Sequence, residues 1–409
     1  EALVFLAELT TYIDVGGMRA HREGGNETAF EQGVRVVTHD VPVLARARLG
    51  FVGIHNQIRR AAVGLLRHEG PLQARGEAGA AASPQTRRLH LVDDRLLRLQ
   101  TIEDVFLLAW GTDELTRRAA DLELIQRWTA EKPDWAELLR LHHSIRPKPK
   151  GTPSYWLVVQ QEGRQVYQRH SARKSLIRGL EKVINPRWKV QEELADLEVW
   201  LSISEQQAVC GVRLSDRTMR HRTWKKEHRP ASLRPVVAAA IARQIGARPG
   251  MRILDPMCGV GTILAESLRL ARQSREKADP VLVGGDIDLD AVQCSTINLR
   301  GWSPAWLCRW NATRLPLAAR SFDAVACNLP FGKQYAANQD LGALYDAVAT
   351  EADRVLVDGG VACFLTSETS LARDAATARG WKQREAIHLE VLGQRAAILT
   401  WRVPADRLD

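Results

Sequence analysis

Asp255-Pro-Met-Cys-Gly-Val-Gly-Thr262 follows the short apolar run 251–254 and leads into Ile263-Leu-Ala-Glu-Ser-Leu268. The order is strand, glycine turn, helix. Glycine at 259 and 261 lets the backbone approach a ligand where no Cβ intervenes. The helix behind the turn offers free N–H groups and a positive dipole end. A plain dinucleotide fingerprint has a third glycine three residues after the second, and here that position is Leu264. An acid, Asp255, closes the strand. A carboxylate there favours a nucleotide with cationic groups near the turn and disfavours a pyrophosphate, which points to S-adenosylmethionine (SAM) over NAD. A glycine loop of some other α/β enzyme is the plainer alternative.

C-terminal of this stretch the pattern alternates. Strands are predicted at 251–255, 281–286, 305–310, 324–327 and 361–365, and helices at 262–272, 289–299, 340–356 and 370–379. Two final strands, 387–391 and 396–403, are joined by Leu-Gly-Gln-Arg. Such alternation gives a parallel sheet wrapped by helices, and the closing hairpin inserts one antiparallel strand. A helix at 236–245 precedes the sheet, with Ser232 as its cap and Pro235 in its first turn. Ligands of such sheets sit at the carboxyl ends of the strands.

Three more strand ends therefore carry candidate chemistry. Asp286, followed by Ile287, is placed to accept both ribose hydroxyls of a nucleotide; its alternative role as a helix cap suits Asp288 better. Asn311 with Ala312 could bind an adenine edge or simply make a turn. The fourth end is Asn328-Leu-Pro-Phe-Gly332. There the side-chain oxygen of Asn328 and the carbonyl of Leu329 could accept the two hydrogens of an exocyclic amino group, pulling its lone pair out of conjugation and towards a methyl donor. Phe331 would give the base a face to stack on. No strong base is required, because the proton leaves after the nitrogen becomes cationic. Proximity supplies most of the rate. A Pro-Phe-Gly turn packed under a loop is the structural alternative.

The N-terminal half reads differently. Residues 1–85 show poor periodicity and are expected to pack poorly. A strand, a polar break and a second strand are predicted over 96–110, and helix over 113–141 with a division at Pro133. Arg146-Pro-Lys-Pro-Lys-Gly151 has linker composition. A compact α/β unit follows: strand 155–159, helix 171–184, strands 197–203 and 208–214. Basic residues crowd it, including Arg164, Arg173, Lys174 and Arg178, and continue through Arg213, Arg217, Arg220 and Lys225. With few acids between them, a phosphate-binding surface is expected, with affinity that falls as salt rises.

The chain of 409 residues has room for two or three domains, and a net charge of +9 favours a polyanionic partner. Its 45% hydrophobic and 26% charged residues are ordinary for a water-soluble protein. No apolar run reaches membrane-spanning length, and the first residues lack the basic start of a signal peptide. Six cysteines without a CxxC pair read as reduced thiols of a cytoplasmic protein. No His/Asp/Cys cluster has metal-ligand spacing, so no metal is expected.

On these residues the chain resembles the THUMP-domain class I SAM-dependent RNA (guanine-N2) methyltransferases, over about residues 95–403. Asp255-Pro-Met-Cys-Gly-Val-Gly-Thr262 is similar to the family's SAM loop, Asn328-Leu-Pro-Phe-Gly-Lys-Gln334 to its amino-methylating motif, and His228-Arg-Pro-Ala-Ser-Leu-Arg-Pro235 to a segment that lies over SAM. The resemblance implies a Rossmann-like methyltransferase sheet with a C-terminal antiparallel hairpin over 221–409. Before it would come a small α/β THUMP-type RNA-binding domain at 151–220 and a partial ferredoxin-like region at 86–150, with 1–85 uncertain. It implies that Ser232, Asp255, Met257, Gly259, Gly261, Asp286, Ile287, Asn311, Ala312 and Asn328 hold SAM. The substrate implied is a guanosine N2 in tRNA, and some relatives need a small activator subunit. Position 311 departs from the family, which often has Asp there, and residues 1–85 do not resemble its N-terminal half. Ribosomal RNA or DNA amino-methylation, and an RNA-binding module without turnover, are the competing readings.

Overall fold

The computed structural model describes residues 3–7, 11–14, 97–230, 232–276, 278–302, 305–331, 340–391 and 393–406; of 3–7, 11–14, Arg217 and Thr218 it describes the backbone alone. The chain divides into two units, Glu1–Met219 and Arg220–Asp409.

The first unit is built on a mixed sheet. Its strands are β1 (Leu3–Ala7), β2 (Thr11–Asp14), β3 (Asp104–Thr112), β4 (Ser154–Glu162), β5 (Lys189–Val190), β6 (Leu197–Ser204) and β7 (Gln207–Arg213), in the order β2-β1-β3-β7-β6-β4-β5. Its helices are α1 (Asp121–Glu131), α2 (Trp135–Ile145), α3 (Arg169–Leu180) and the short α4 (Arg217–Arg220). Of the segment 1–85, β1 and β2 are described, β1 pairing antiparallel with β3; the rest lies outside the described residues. The strand expected just after residue 96 is absent. Leu97 and Leu99 pack against the core from a turn and bend, and the strand begins only at Asp104.

β6 alternates buried and half-buried residues along its length, with Leu197, Val199, Leu201 and Ile203 facing the core, as a one-sided strand must. The break at Pro133 is secured by Asp134, whose carboxylate accepts the Glu137 N–H at 3.0 Å and so starts α2. Helices α1 and α3 pack closely at Gly179, where a Cβ would come within 2.6 Å of the Gln126 carbonyl oxygen.

The second unit carries the alternating pattern. After α5 (Pro235–Gln244) come β8 (Arg252–Asp255), α6 (Thr262–Ala271), β9 (Val281–Asp286), α7 (Leu289–Leu299), β10 (Ala305–Arg309), β11 (Phe322–Asn328), α8 (Leu341–Val355), β12 (Leu356–Thr366), α9 (Thr369–Ala378), β13 (Lys382–Val391) and β14 (Gln394–Arg402). The sheet order is β10-β9-β8-β11-β12-β14-β13. Strands β8 to β12 run parallel, and β14 lies antiparallel between β12 and β13. The expected inserted hairpin is therefore present. Strand order reverses at β8, which pairs with β9 on one side and β11 on the other, so the carboxyl ends of β8, β9 and β11 meet at the crevice where such sheets bind ligands.

Candidate active site

The glycine turn is held in place by its neighbours' backbone and by two acids. Gly261 starts α6 with φ +79° and Gly259 has φ +53°, both in the left-handed region that glycine tolerates. They differ in surroundings. A Cβ on Gly261 would meet Leu299 at 3.1 Å and Ser295 at 3.2 Å, both on α7, whereas a Cβ on Gly259 would meet nothing within 4 Å. Gly259 therefore keeps open a space above the turn, and Gly261 keeps the turn seated. Gly261→Ala is expected to lose about 2–4 kcal/mol of stability, from left-handed strain plus overpacking. Gly259→Ala should lose about 1 kcal/mol and show its main defect in cofactor affinity. Denaturant unfolding alongside a SAM titration separates the two.

Asp286, ending β9, accepts the Gly259 N–H at 3.0 Å on one carboxylate oxygen and the Asp288 N–H at 3.0 Å on the other. A carboxylate has about four lone-pair sites, so each oxygen keeps one for a hydroxyl. Asp288 caps α7 through the Asp290 N–H. Asp255 is 1% exposed, and its carboxylate accepts only the Met257 N–H, at 3.2 Å, among the hydrogen bonds of the described residues. Burial pushes the Asp255 carboxyl well above the usual carboxylate range; the Met257 N–H opposes this and the nearby Asp286 adds to it. Among the described residues neither carboxylate has a cationic side-chain partner, and two close carboxylates so placed suit a cationic ligand.

Two side chains outside the motifs shape the turn. Trp310 donates its indole N–H to the Pro256 carbonyl at 2.9 Å, and Gly285 makes room for that ring, since a Cβ there would lie 2.4 Å from it. Asn298, buried on α7, donates to the carbonyls of Val260 and Glu227 and accepts the N–H groups of Lys226 and Glu227. It thereby ties the glycine turn to the segment before α5. An asparagine at an inward helix position was the sequence signal for it.

Asn328 ends β11 with its side-chain oxygen buried and, among the described residues, without a hydrogen-bond partner. A buried acceptor without a donor costs about 1–3 kcal/mol, so this oxygen awaits a donor. The Leu329 N–H continues the ladder to the Leu365 carbonyl at 3.0 Å. Tyr345, on α8, donates its hydroxyl to the Pro330 carbonyl at 2.8 Å.

Several sequence-based expectations are corrected. Phe331 is 5% exposed, so its ring packs inward and offers a base no face; Gly332, Lys333 and Gln334 lie outside the described residues. Ser232 does not cap α5, whose N-cap is Arg234 without a side-chain bond; its hydroxyl instead faces the Lys225 ammonium at 3.2 Å. The Asn311 side-chain oxygen is committed to the N–H and hydroxyl of Thr313, the turn reading. Ile287 is 57% exposed beside Asp286, Met257 is half-buried, and Ala312 is buried.

The basic set also divides. Arg164, Lys174 and Arg178 are exposed, while Arg173 stacks over the Trp156 ring at 4.2 Å. Arg213 is drawn inward by Asp104 and Glu198, and Lys225 is buried against the Leu233 carbonyl at 2.8 Å, its pKa lowered by burial to about 8. Neither is a surface for phosphate. Arg220 is half-buried, and the Arg217 side chain lies outside the described residues.

This sheet order, with the glycine turn after its first parallel strand and Asn-Leu-Pro-Phe after its fourth, defines a class I methyltransferase fold. Residues 222–396 match the family model described as the RMKL-like methyltransferase domain, UPF0020. The human tRNA (guanine(6)-N(2))-methyltransferase THUMP3 is 28% identical over 229 residues, 52% of this chain and 44% of that protein. The mouse U6 snRNA (guanine-N(2))-methyltransferase THUMPD2 is 30% identical over 185 residues, 44% of this chain and 32% of that protein. The matches thus span less than half the length of these curated relatives. The crystal structure of TrmN from Thermus thermophilus superposes with a TM-score of 0.61 at 23% identity, covering 86% of this chain and 97% of that one.

Proposed function

We propose that this chain is a SAM-dependent methyltransferase that places a methyl on the exocyclic N2 of a guanosine in RNA, tRNA being the first candidate. The observation that carries the reading is the oxygen of Asn328, buried and without a partner among the described residues, at the carboxyl end of the strand beside the one that leads into the glycine turn. The cradle fits SAM: open space over Gly259, two carboxylates for cationic and hydroxyl groups, and the half-exposed Ile287 for a flat ring. SAM would supply an electrophilic methyl, its bond to sulfur breaking as the bond to nitrogen forms, with S-adenosylhomocysteine as the leaving group. The chain supplies acceptors, Asn328 Oδ1 and the Leu329 carbonyl, for the two amino hydrogens. They hold the nitrogen lone pair out of conjugation, and the proton leaves to water once the N–C bond has formed. Positioning accounts for most of the rate.

The first unit would hold the RNA. Its β4-α3-β5-β6-β7 segment is taken as the THUMP-type module, with the strands before it as the ferredoxin-like part, and Arg164, Lys174 and Arg178 as phosphate contacts. The names of the relatives, one acting on tRNA and one on U6 snRNA, support an RNA substrate. Among the described residues no helix is long and apolar enough to cross a membrane. Free thiols at all six cysteines fit a cytoplasmic setting.

The test is the purified chain with labelled SAM and, separately, bulk tRNA, total RNA and DNA, followed by nucleoside mass spectrometry. N2-methylguanosine in tRNA is expected; label in ribosomal RNA, U6 snRNA or DNA adenine reassigns the substrate. RNA binding without product from any of them would leave a binding module. Turnover by the chain alone shows that it needs no activator subunit. The cofactor half has its own readout. Asp255, protonated more readily than a free carboxyl, must ionise to pair with the SAM ammonium, so binding releases protons and tightens as pH rises. Calorimetry in two buffers of different ionisation enthalpy measures this, and a pH-independent affinity without proton release would remove Asp255 as the cation's partner.

A further inference from the structure

The Asn328 strand end is pinned by a chain of hydroxyls that no motif contains. The Glu368 N–H donates to the Thr366 hydroxyl at 2.8 Å, the Thr366 and Tyr345 hydroxyls lie 2.6 Å apart, and Tyr345 reaches the Pro330 carbonyl at 2.8 Å. The two ends settle the direction of every proton. A backbone N–H can only donate and a carbonyl can only accept. The Tyr345 proton therefore goes to Pro330, and the Thr366 proton to Tyr345. Hydrogen bonds aligned head to tail in a dry interior polarise one another, and Tyr345 and Thr366 are 1% and 0% exposed.

We propose that Tyr345 is a positioning residue for methyl transfer, acting through Pro330 on the direction of the Leu329 carbonyl and the Asn328 amide; this rests on the role proposed above for that loop. Leu329 is anchored at its N–H by the Leu365 carbonyl, 3.0 Å away, and Pro330 at its carbonyl by Tyr345. Between these pins, the proline ring holds its own φ and restricts Leu329 to extended conformations. Little freedom remains for the Leu329 carbonyl, one of the two acceptors of the amino group. Without the hydroxyl, the loop keeps one pin. The ring of Tyr345 fills the core under α8 with Val348, Ala349 and Ala352, so its packing and its hydroxyl are separable by Tyr345→Phe.

The experiment measures kcat, the KM for RNA, SAM affinity and thermal unfolding of the full chain as wild type, Tyr345→Phe, Thr366→Val, the double variant and Asn328→Ala. In Tyr345→Phe, kcat should fall about 10- to 100-fold, the scale on which small misplacements act. Its KM for RNA and its SAM affinity should stay within about twofold of wild type, the limit of an indirect effect. Thr366→Val should fall in the same direction, and the double variant should be no worse than Tyr345→Phe, because both cut one chain. Wild-type kcat in Tyr345→Phe with an inactive Asn328→Ala overturns the positioning role alone. A loss of kcat matched by losses in SAM affinity and melting temperature overturns it too, leaving a fold effect. Full activity in Asn328→Ala, or no methyl transfer to RNA by wild type, removes the underlying reading and this inference together.

Discussion

Asn328→Ala should lower methyl transfer by about 100- to 1000-fold, the scale of losing one preorganised acceptor from a dry reaction centre, with RNA affinity nearly unchanged. The oxygen it removes has no partner among the described residues, so its loss breaks no hydrogen bond described in the fold. Truncation relieves an unsatisfied acceptor, and the unfolding midpoint should stay level or rise slightly. This pairing of a lost rate with a retained or improved stability marks a residue kept for a ligand. Asn328→Asp retains an acceptor but adds charge to a centre that already holds Asp255 and Asp286, so an intermediate rate is expected, with a steeper pH dependence. Stopped-time assays with saturating SAM, next to denaturant melts of all three proteins, read both quantities. An Asn328→Ala chain that is unstable yet active would contradict the assignment.

Glu266→Ala should cost the second unit about 3–5 kcal/mol, because it breaks a buried ion pair. Glu266 is fully buried on α6; it pairs with Arg222, whose side chain is 3% exposed, and with Arg269, and it accepts the Trp224 indole N–H. Removing the carboxylate takes an ionic partner from the buried Arg222 guanidinium and the acceptor from the Trp224 indole. For a unit of this size the melting temperature should fall by on the order of 10 °C. A surface comparison calibrates the result. Asp279→Asn removes the partially exposed pair with Arg272 and should cost under about 1 kcal/mol. Replacing both buried partners with apolar residues, Arg222→Met with Glu266→Leu, should recover much of the loss. If Glu266→Ala unfolds no earlier than Asp279→Asn, the buried network does not hold the segment before α5 in place.

Much of the second unit was readable along the chain. The turn at Gly259 and Gly261 sits between a strand and a helix whose apolar spacing is unmistakable, and α7 spans the residues its periodicity predicts. The hairpin at the C-terminus implied an inserted antiparallel strand, and β14 is that strand. Asp286 and Asn328 stood out because a polar residue ending an apolar run at a sheet's carboxyl edge has little reason to be there otherwise. Strand bounds were less legible. β12 starts five residues before its predicted position, since Leu356 and Val357 continue directly from α8 without a breaking residue.

What could not be read was which polar side chains turn inward. Lys225 and Arg213 belong to a basic run that reads as a surface, yet Arg213 on β7 turns in to Asp104 on β3 and Lys225 folds back onto the Leu233 carbonyl. Phe331 looked like a platform and is core. Tyr345 read as one more aromatic on the buried stripe of α8, and only the packing of that helix against β11 and β12 brings its hydroxyl to Pro330. The sequence by itself determined the strand–helix order, the left-handed glycine turn and the acids at the strand ends, because these follow from local conformational preference and hydrophobic period. Tertiary structure alone decided the roles of Glu266, Asn298, Trp310 and Tyr345. Their bonds join residues far apart in the chain, and a polar group's partner is set by where packing places it, which no local pattern records.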